Sequence, residues 1–131
     1  MALDPADLPE GVQLFLEERR LGTLTTLRPD GSPHVVAIAF TWDPDARLVR
    51  VITFASSRKA LNLRANPGSR AAVCQVDGGR WVTLEGRATV TDEPERVAEG
   101  VRRYTERYQP PKARDDRVVI EIEVDRVLGR A

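Results

Sequence analysis

Four consecutive residues, Ser56-Ser57-Arg58-Lys59, stand where an alternating apolar run ends and a helix-forming run, Ala60 to Ala65, begins. The first N–H groups of a helix lack partners within it and lie at the positive end of its dipole, so the position suits an anion. First turns normally favour acids. Two adjacent cations there fit an anion supplied from outside the chain, gripped bidentately by a guanidinium, attracted by an ammonium and met by the Ser56 and Ser57 hydroxyls. A solvated pair of surface cations is the alternative. Trp81, at a strand start behind Asp77-Gly78-Gly79-Arg80, is a candidate to stack on or edge a planar ring, or else a core or interface residue. His34 reads as a structural or surface histidine, with a weak claim, like Arg80, to proton donation. Cys74, in a Val-rich run, reads as a buried inert thiol.

The remaining composition closes off other chemistry. One cysteine and one histidine in 131 residues exclude an intrachain disulfide, a multi-thiolate zinc site and a multi-histidine site. No Ser-His-Asp set, Walker loop or GxGxxG turn is present, so catalysis here would rest on a bound cofactor. Lys plus Arg number 20 and Asp plus Glu number 20, which speaks against general nucleic-acid binding. No apolar run approaches a membrane span, and Met1 to Glu10 lacks the features of a secretory signal. The expectation is a cytoplasmic protein with a single domain over residues 1–131, too small to hold a large ligand except in a groove on itself or between two copies.

The elements that position these residues follow from periodicity and turn chemistry. Asp7 is a candidate cap for a first helix ending near Arg20. Leu21 to Arg28 alternates as a strand, Arg28-Pro29-Asp30-Gly31-Ser32-Pro33 is a turn, and His34 to Trp42 is a second strand whose Val35 to Phe40 run suggests burial on both faces. Asp43 to Ala46 turns into a third strand, Arg47 to Phe54. A short helix with Leu61 and Leu63 toward the sheet stops at Asn66-Pro67-Gly68. Ser69 to Val76 and Arg80 to Thr91 form a hairpin about Asp77-Gly78-Gly79, with Gly86 marking a bulge or bend. Asp92 caps a helix from about Glu93 to Tyr108, with Val97, Val101 and Tyr104 inward and Arg102, Arg103 and Arg107 outward. Val118 to Val127 is the last strand. The pattern predicts a mainly β (α+β) fold: six antiparallel strands in a closed or nearly closed barrel, with three short helices at its ends.

Three segments, in this order and spacing, resemble the flavin- and deazaflavin-binding split β-barrels of the pyridoxamine-phosphate-oxidase-like superfamily. They are Leu24 to Val36 (LTTLRPDGSPHVV), Ser57 to Leu63 (SRKALNL) and Asp77 to Ala88 (DGGRWVTLEGRA). The likeness runs from about Phe15 to Gly129. It is strongest toward the short actinobacterial branch that uses coenzyme F420, which includes biliverdin, quinone and enone reductases. The resemblance implies a homodimer with the cofactor in a groove at the interface. It also implies that Ser57, Arg58 and Lys59 hold the cofactor phosphate, and that Ile52 and Thr53 lie along the ribityl chain. Backbone at Val36, Ala37 and Ile38 would face the ring, and Trp81 would border it from the second copy. F420 is the implied cofactor and FMN the alternative, because apolar Val35-Val36 stands where the oxidase branch carries a basic residue. The Arg-rich tail used by the oxidases does not follow Ala131, so pyridoxamine phosphate oxidation is not expected. The implied reaction is hydride transfer to a conjugated small molecule. An FMN enzyme and a flavin- or haem-type binder without turnover are the rivals.

Overall fold

The computed structural model describes residues 2–131. In chain order its elements are β1 (Ala2–Leu3), α1 (Glu10–Glu17), β2 (Gly22–Leu27), β3 (Pro33–Ile38), β4 (Thr41–Asp43), β5 (Leu48–Phe54), α2 (Arg58–Ala65), β6 (Arg70–Asp77), β7 (Arg80–Thr91), α3 (Pro94–Arg107) and β8 (Arg117–Arg130). The strands form one antiparallel sheet in the order β3-β2-β6-β7-β8-β5-β4, with β1 added beside β8. This is the expected mainly β (α+β) arrangement with three helices.

The expected six strands are eight. Besides the short β1, the stretch read as one strand from His34 to Trp42 is broken at Ala39-Phe40. β3 pairs with β2, whereas β4 pairs with β5. The chain therefore leaves one edge of the sheet and joins the opposite edge within two residues. No ladder joins β3 to β4, so the barrel is not closed: a seam runs between the two edges. β3 borders it on one side. On the other, β4 covers β5 only from Leu48 to Arg50, and Val51 to Phe54 have β8 alone as a strand neighbour.

The turns match their residue chemistry. In the β2–β3 hairpin Gly31 takes a φ of 87°, and the Asp30 carboxylate accepts from the Ser32 N–H at 2.9 Å. Asp77 pairs with Arg80 about a two-residue turn in which Gly78 has φ 60°. At Gly86 the β7–β8 register slips. A Cβ there would lie 1.8 Å from the Glu123 carbonyl oxygen, so only glycine fits.

Other expectations are corrected. α1 opens at Pro9 with no side-chain cap, since Asp7 lies in the preceding turn with its N–H on the Asp4 carbonyl, and it ends at Glu17 because Glu18 is extended. α3 is not capped by Asp92; the Thr91 hydroxyl takes the Glu93 N–H. Val35 to Phe40 is not buried on both faces, because the β3 pleat sends Val35 and Ala37 outward. Cys74 is half-buried on that same outward face, opposite Thr23 and Thr83. In α2, Leu63 packs inward, with Ala60 and Asn62 beside it, while Leu61 is exposed.

The core lies on the inner face: Leu24, Val73, Val82 and Leu84 of one half meet Val49, Val51, Ile120 and Ile122 of the other, with Phe15, Phe40 and Leu63 closing the ends. α3 approaches β5 and β8 closely because Gly100 has no side chain; a Cβ would stand 3.0 Å from Ile52 and Val119 methyls. Arg107 is not on the outer face. It is half-buried, and its guanidinium donates to the carbonyls of Phe40 (2.5 Å) and Glu18 (2.7 and 3.0 Å) and to Gln75 Oε1 (2.6 Å), stacked 4.6 Å from the Phe40 ring. Tyr108 adds a donation to the Arg20 carbonyl at 2.6 Å and accepts the Phe40 N–H at 3.3 Å. Arg103 reaches inward as well, 3.1 Å from the buried Asp43 carboxylate, which also meets Arg50 at 3.0 Å. Burial opposes the charge on Asp43, yet Arg50, the Ala46 N–H and Arg103 together hold its carboxyl below the ordinary value.

Arg107→Met leaves the Phe40 carbonyl with the Tyr108 hydroxyl alone, at 3.2 Å, and strips the Glu18 carbonyl and Gln75 Oε1 of their guanidinium donors. Each acceptor left buried and unpaired costs about 1–3 kcal/mol, so urea unfolding should show a loss of about 3 kcal/mol. A change under about 0.5 kcal/mol, the level of an ordinary surface substitution, would contradict the role given to Arg107.

Candidate functional site

β5 delivers the chain directly into α2. The Ser57 N–H returns to the Phe54 carbonyl at 3.0 Å, and the Ser57 hydroxyl caps the helix by accepting from the Ala60 N–H at 3.3 Å. Thr53 holds that hydroxyl with a 3.2 Å hydrogen bond. Thr53 and Ser57 therefore fix the direction of the helix N-terminus, which carries no acidic residue in its first turn.

The two cations differ. Arg58 is exposed and has no ion-pair partner among the described residues. Lys59 is half-buried with its ammonium 6.0 Å from the centre of the Phe54 ring, and burial lowers its pKa from the usual lysine value. A desolvated ammonium without a carboxylate partner gains strongly from an arriving anion. Arg28 belongs to the same region: its guanidinium is spent on the Pro33 carbonyl at 2.6 Å rather than on a carboxylate.

Ile52 and Thr53 line a cavity of about 270 Å³ with Phe54, Tyr104, Pro111, Arg114 and Arg117. Arg114 stacks on Phe54 at 4.4 Å. The sequence reading missed Tyr104, Arg114 and Arg117 as wall residues, because the loop that brings the two arginines has no periodicity. It gave His34 a structural or surface role with a weak claim to proton donation, and no place at the α2 corner. That residue lies across from Thr26 in the β2–β3 ladder, and its pKa is depressed by burial and then by Arg28, Lys59 and Arg58. The seam thus brings the β3 side within electrostatic reach of the α2 corner. The hairpin spacing about Pro29-Asp30-Gly31 pairs Thr26 with His34 and is the one sequence signal that places this residue.

Val36, Ala37 and Ile38 stand opposite Leu24, Thr23 and Gly22 in β3. Because β3 is an edge strand, backbone groups on its far side have no strand partner. Trp81 is not brought to the others. It pairs with Arg130, whereas Thr53 pairs with Val118, so up to about 40 Å of extended β8 separates them. Trp81 is held instead by Gly129, where a Cβ would come 2.2 Å from the Trp81 carbonyl oxygen, and it faces outward beside exposed Val76.

A free strand edge at β3, a basic helix corner at α2 and a cavity along β5 are the features these elements present. Residues 8–131 match the pyridoxamine 5'-phosphate oxidase family, and the chain belongs to that family. Over 124 residues it is 48% identical to the F420H(2)-dependent biliverdin reductase of Mycobacterium tuberculosis (strain CDC 1551 / Oshkosh), spanning 95% of this chain and 89% of that protein. Among solved structures it is similar to a conserved hypothetical protein of Mycobacterium tuberculosis (29% identity, TM-score 0.77, covering 94% of this chain and 84% of that one). It is also similar to an F420 reductase (30% identity, TM-score 0.71, 92% and 98%).

Lys59→Ala should weaken binding of a phosphate-bearing cofactor by about 1.5–3 kcal/mol, the range for a lost charged hydrogen bond. Fluorescence titration measures this directly, and unchanged affinity would remove the corner from the site.

Proposed function

We propose that this chain is a coenzyme F420-dependent reductase, working as a homodimer on a conjugated, electron-poor small molecule of the biliverdin, quinone or enone type. The observation that carries the reading is the acid-free, basic N-terminus of α2 at the end of the seam, in a chain so similar to an F420H(2)-dependent biliverdin reductase. The residues fit such a group: Lys59 is desolvated and unpaired, and two buried polar atoms nearby, His34 Nδ1 and Asn62 Oδ1, have no partner.

When bound, reduced deazaflavin would supply a hydride. The chain's own residues bind and orient. Ser57, Arg58 and Lys59 hold the phosphate. Ile52 and Thr53, along the open edge of β5, line the path of the ribityl chain. The free edge of β3 at Val36, Ala37 and Ile38 presents backbone donors and acceptors to the ring.

The second copy supplies Trp81. The outward face of β3-β2-β6-β7 carries Val35, Thr23, Cys74, Val76 and Trp81 at one end, with Arg70, Glu85 and Arg87 at the other end of β6 and β7, and Val35 and Val76 are 60% and 64% exposed. Two-fold pairing through this face buries that surface and carries each Trp81 away from its own corner toward the partner's.

Titration of the purified protein with F420 and FMN in parallel, with the mass in solution measured by light scattering, tests the reading. Micromolar or tighter F420 binding, weaker FMN binding and a dimeric mass are expected. Preference for FMN would make this a flavin enzyme, and F420 binding without oxidation of its reduced form by any acceptor of these types would make it a binding protein.

A further inference from the structure

The sequence contains one histidine, and the structure places it at the basic corner. His34 projects from β3 opposite Thr26, whose hydroxyl accepts from Asn62 Nδ2 of α2 at 3.0 Å. Both ends of this short array are incomplete. His34 Nδ1 and Asn62 Oδ1 are buried without partners, and Asn62 as a whole is 1% exposed. Buried polar groups are nearly always satisfied, so an orphaned pair beside unpaired cations points to a ligand that completes it. The charged groups bearing on His34 are Arg28 of the hairpin and Lys59 and Arg58 of α2, all cations. The nearby acid of the hairpin, Asp30, is engaged by the Ser32 N–H and hydroxyl.

We propose that His34 is a further ligand of the anion held by Ser57, Arg58 and Lys59, and that filling the site brings a proton onto its imidazole. The inference rests on the phosphate reading of the corner and adds a binding residue and a proton to it. The ligand class is a phosphate ester of a small cofactor. In the free protein, burial and the three cations hold the imidazole below its ordinary value of 6.5, so the ring is neutral at pH 7. A bound phosphate offsets those cations and offers Nδ1 an acceptor, which favours the imidazolium. The proton comes from solvent. Because the bound-state value lies above the free-protein value, the extra affinity is complete below the free-protein value and is lost as pH rises through the bound-state value.

A lone histidine gives one set of ring signals, so NMR follows it without assignment. The ring is titrated in the free protein and with saturating F420, FMN or inorganic phosphate. F420 affinity is measured at pH 6 and pH 8 for the native protein, His34→Gln and Lys59→Ala. The midpoint should rise by about one pH unit with ligand bound, equivalent to about tenfold tighter binding on the acid side. His34→Gln should lose that gain while keeping any pH dependence that belongs to the ligand itself. F420 binding that weakens in Lys59→Ala but leaves the His34 midpoint unmoved would overturn this proposal alone. Affinity unaffected by Lys59→Ala would overturn the corner, and this proposal with it.

Discussion

Arg107 is the constraint on which the rest of the structure turns. Its guanidinium has no carboxylate partner; three acceptors on separate elements, the Phe40 and Glu18 carbonyls and Gln75 Oε1, share it instead. Those acceptors lie on the β3–β4 crossing, just past the end of α1, and on β6. One planar cation thus ties the C-terminus of α3 to the point where the chain jumps from one sheet edge to the other. A lysine has one nitrogen and cannot span such a set. With the crossing fixed, the seam stays open beside Val51 to Phe54, and everything at the site follows from that opening. The edge of β3 is left free, β5 runs out along it, and α2 begins at its end.

The electrostatic character of the site comes from what the acids are doing elsewhere. The chain has as many acidic as basic residues, yet several of its carboxylates are engaged by arginines away from the α2 corner. Arg80 and Arg20 hold Glu18 down to about 2, Arg102 and Arg103 do the same for Glu99, and Asp125 is chelated by Arg70. Arg58, Lys59 and Arg28 remain without carboxylates among the described residues. A neutral protein therefore presents a locally cationic corner, which neither net charge nor pI reveals.

The parts of the fold governed by local chemistry were legible in the sequence. The hairpins at Asp30-Gly31 and Gly78-Gly79, the bulge at Gly86 and the α2 corner after Ser57 each follow from residues whose backbone or capping preferences admit few alternatives. The parts set by tertiary context were not. Nothing local marks Ala39-Phe40 as a break, because its cause is a cation sixty-seven residues away. Arg107 itself falls where a helical pattern predicts solvent. At the site, Ser57, Arg58, Lys59, Ile52 and Thr53 were legible as a contiguous strand-to-helix run. The placement of His34 needs the β2–β3 register, and Trp81 lies at the far end of β8 from the α2 corner.

The central claim is that the cofactor lies along the seam between the edge of β3 and the N-terminus of α2. Hydrogen–deuterium exchange with and without saturating F420 tests it most directly, because both stretches have backbone N–H groups that the fold leaves unpaired. The account predicts slowed exchange confined to Val36–Ile38, Ile52–Thr53 and Ser57–Ala60 of one chain, together with the segment around Trp81 contributed by the other. Protection elsewhere with these segments unchanged would contradict it.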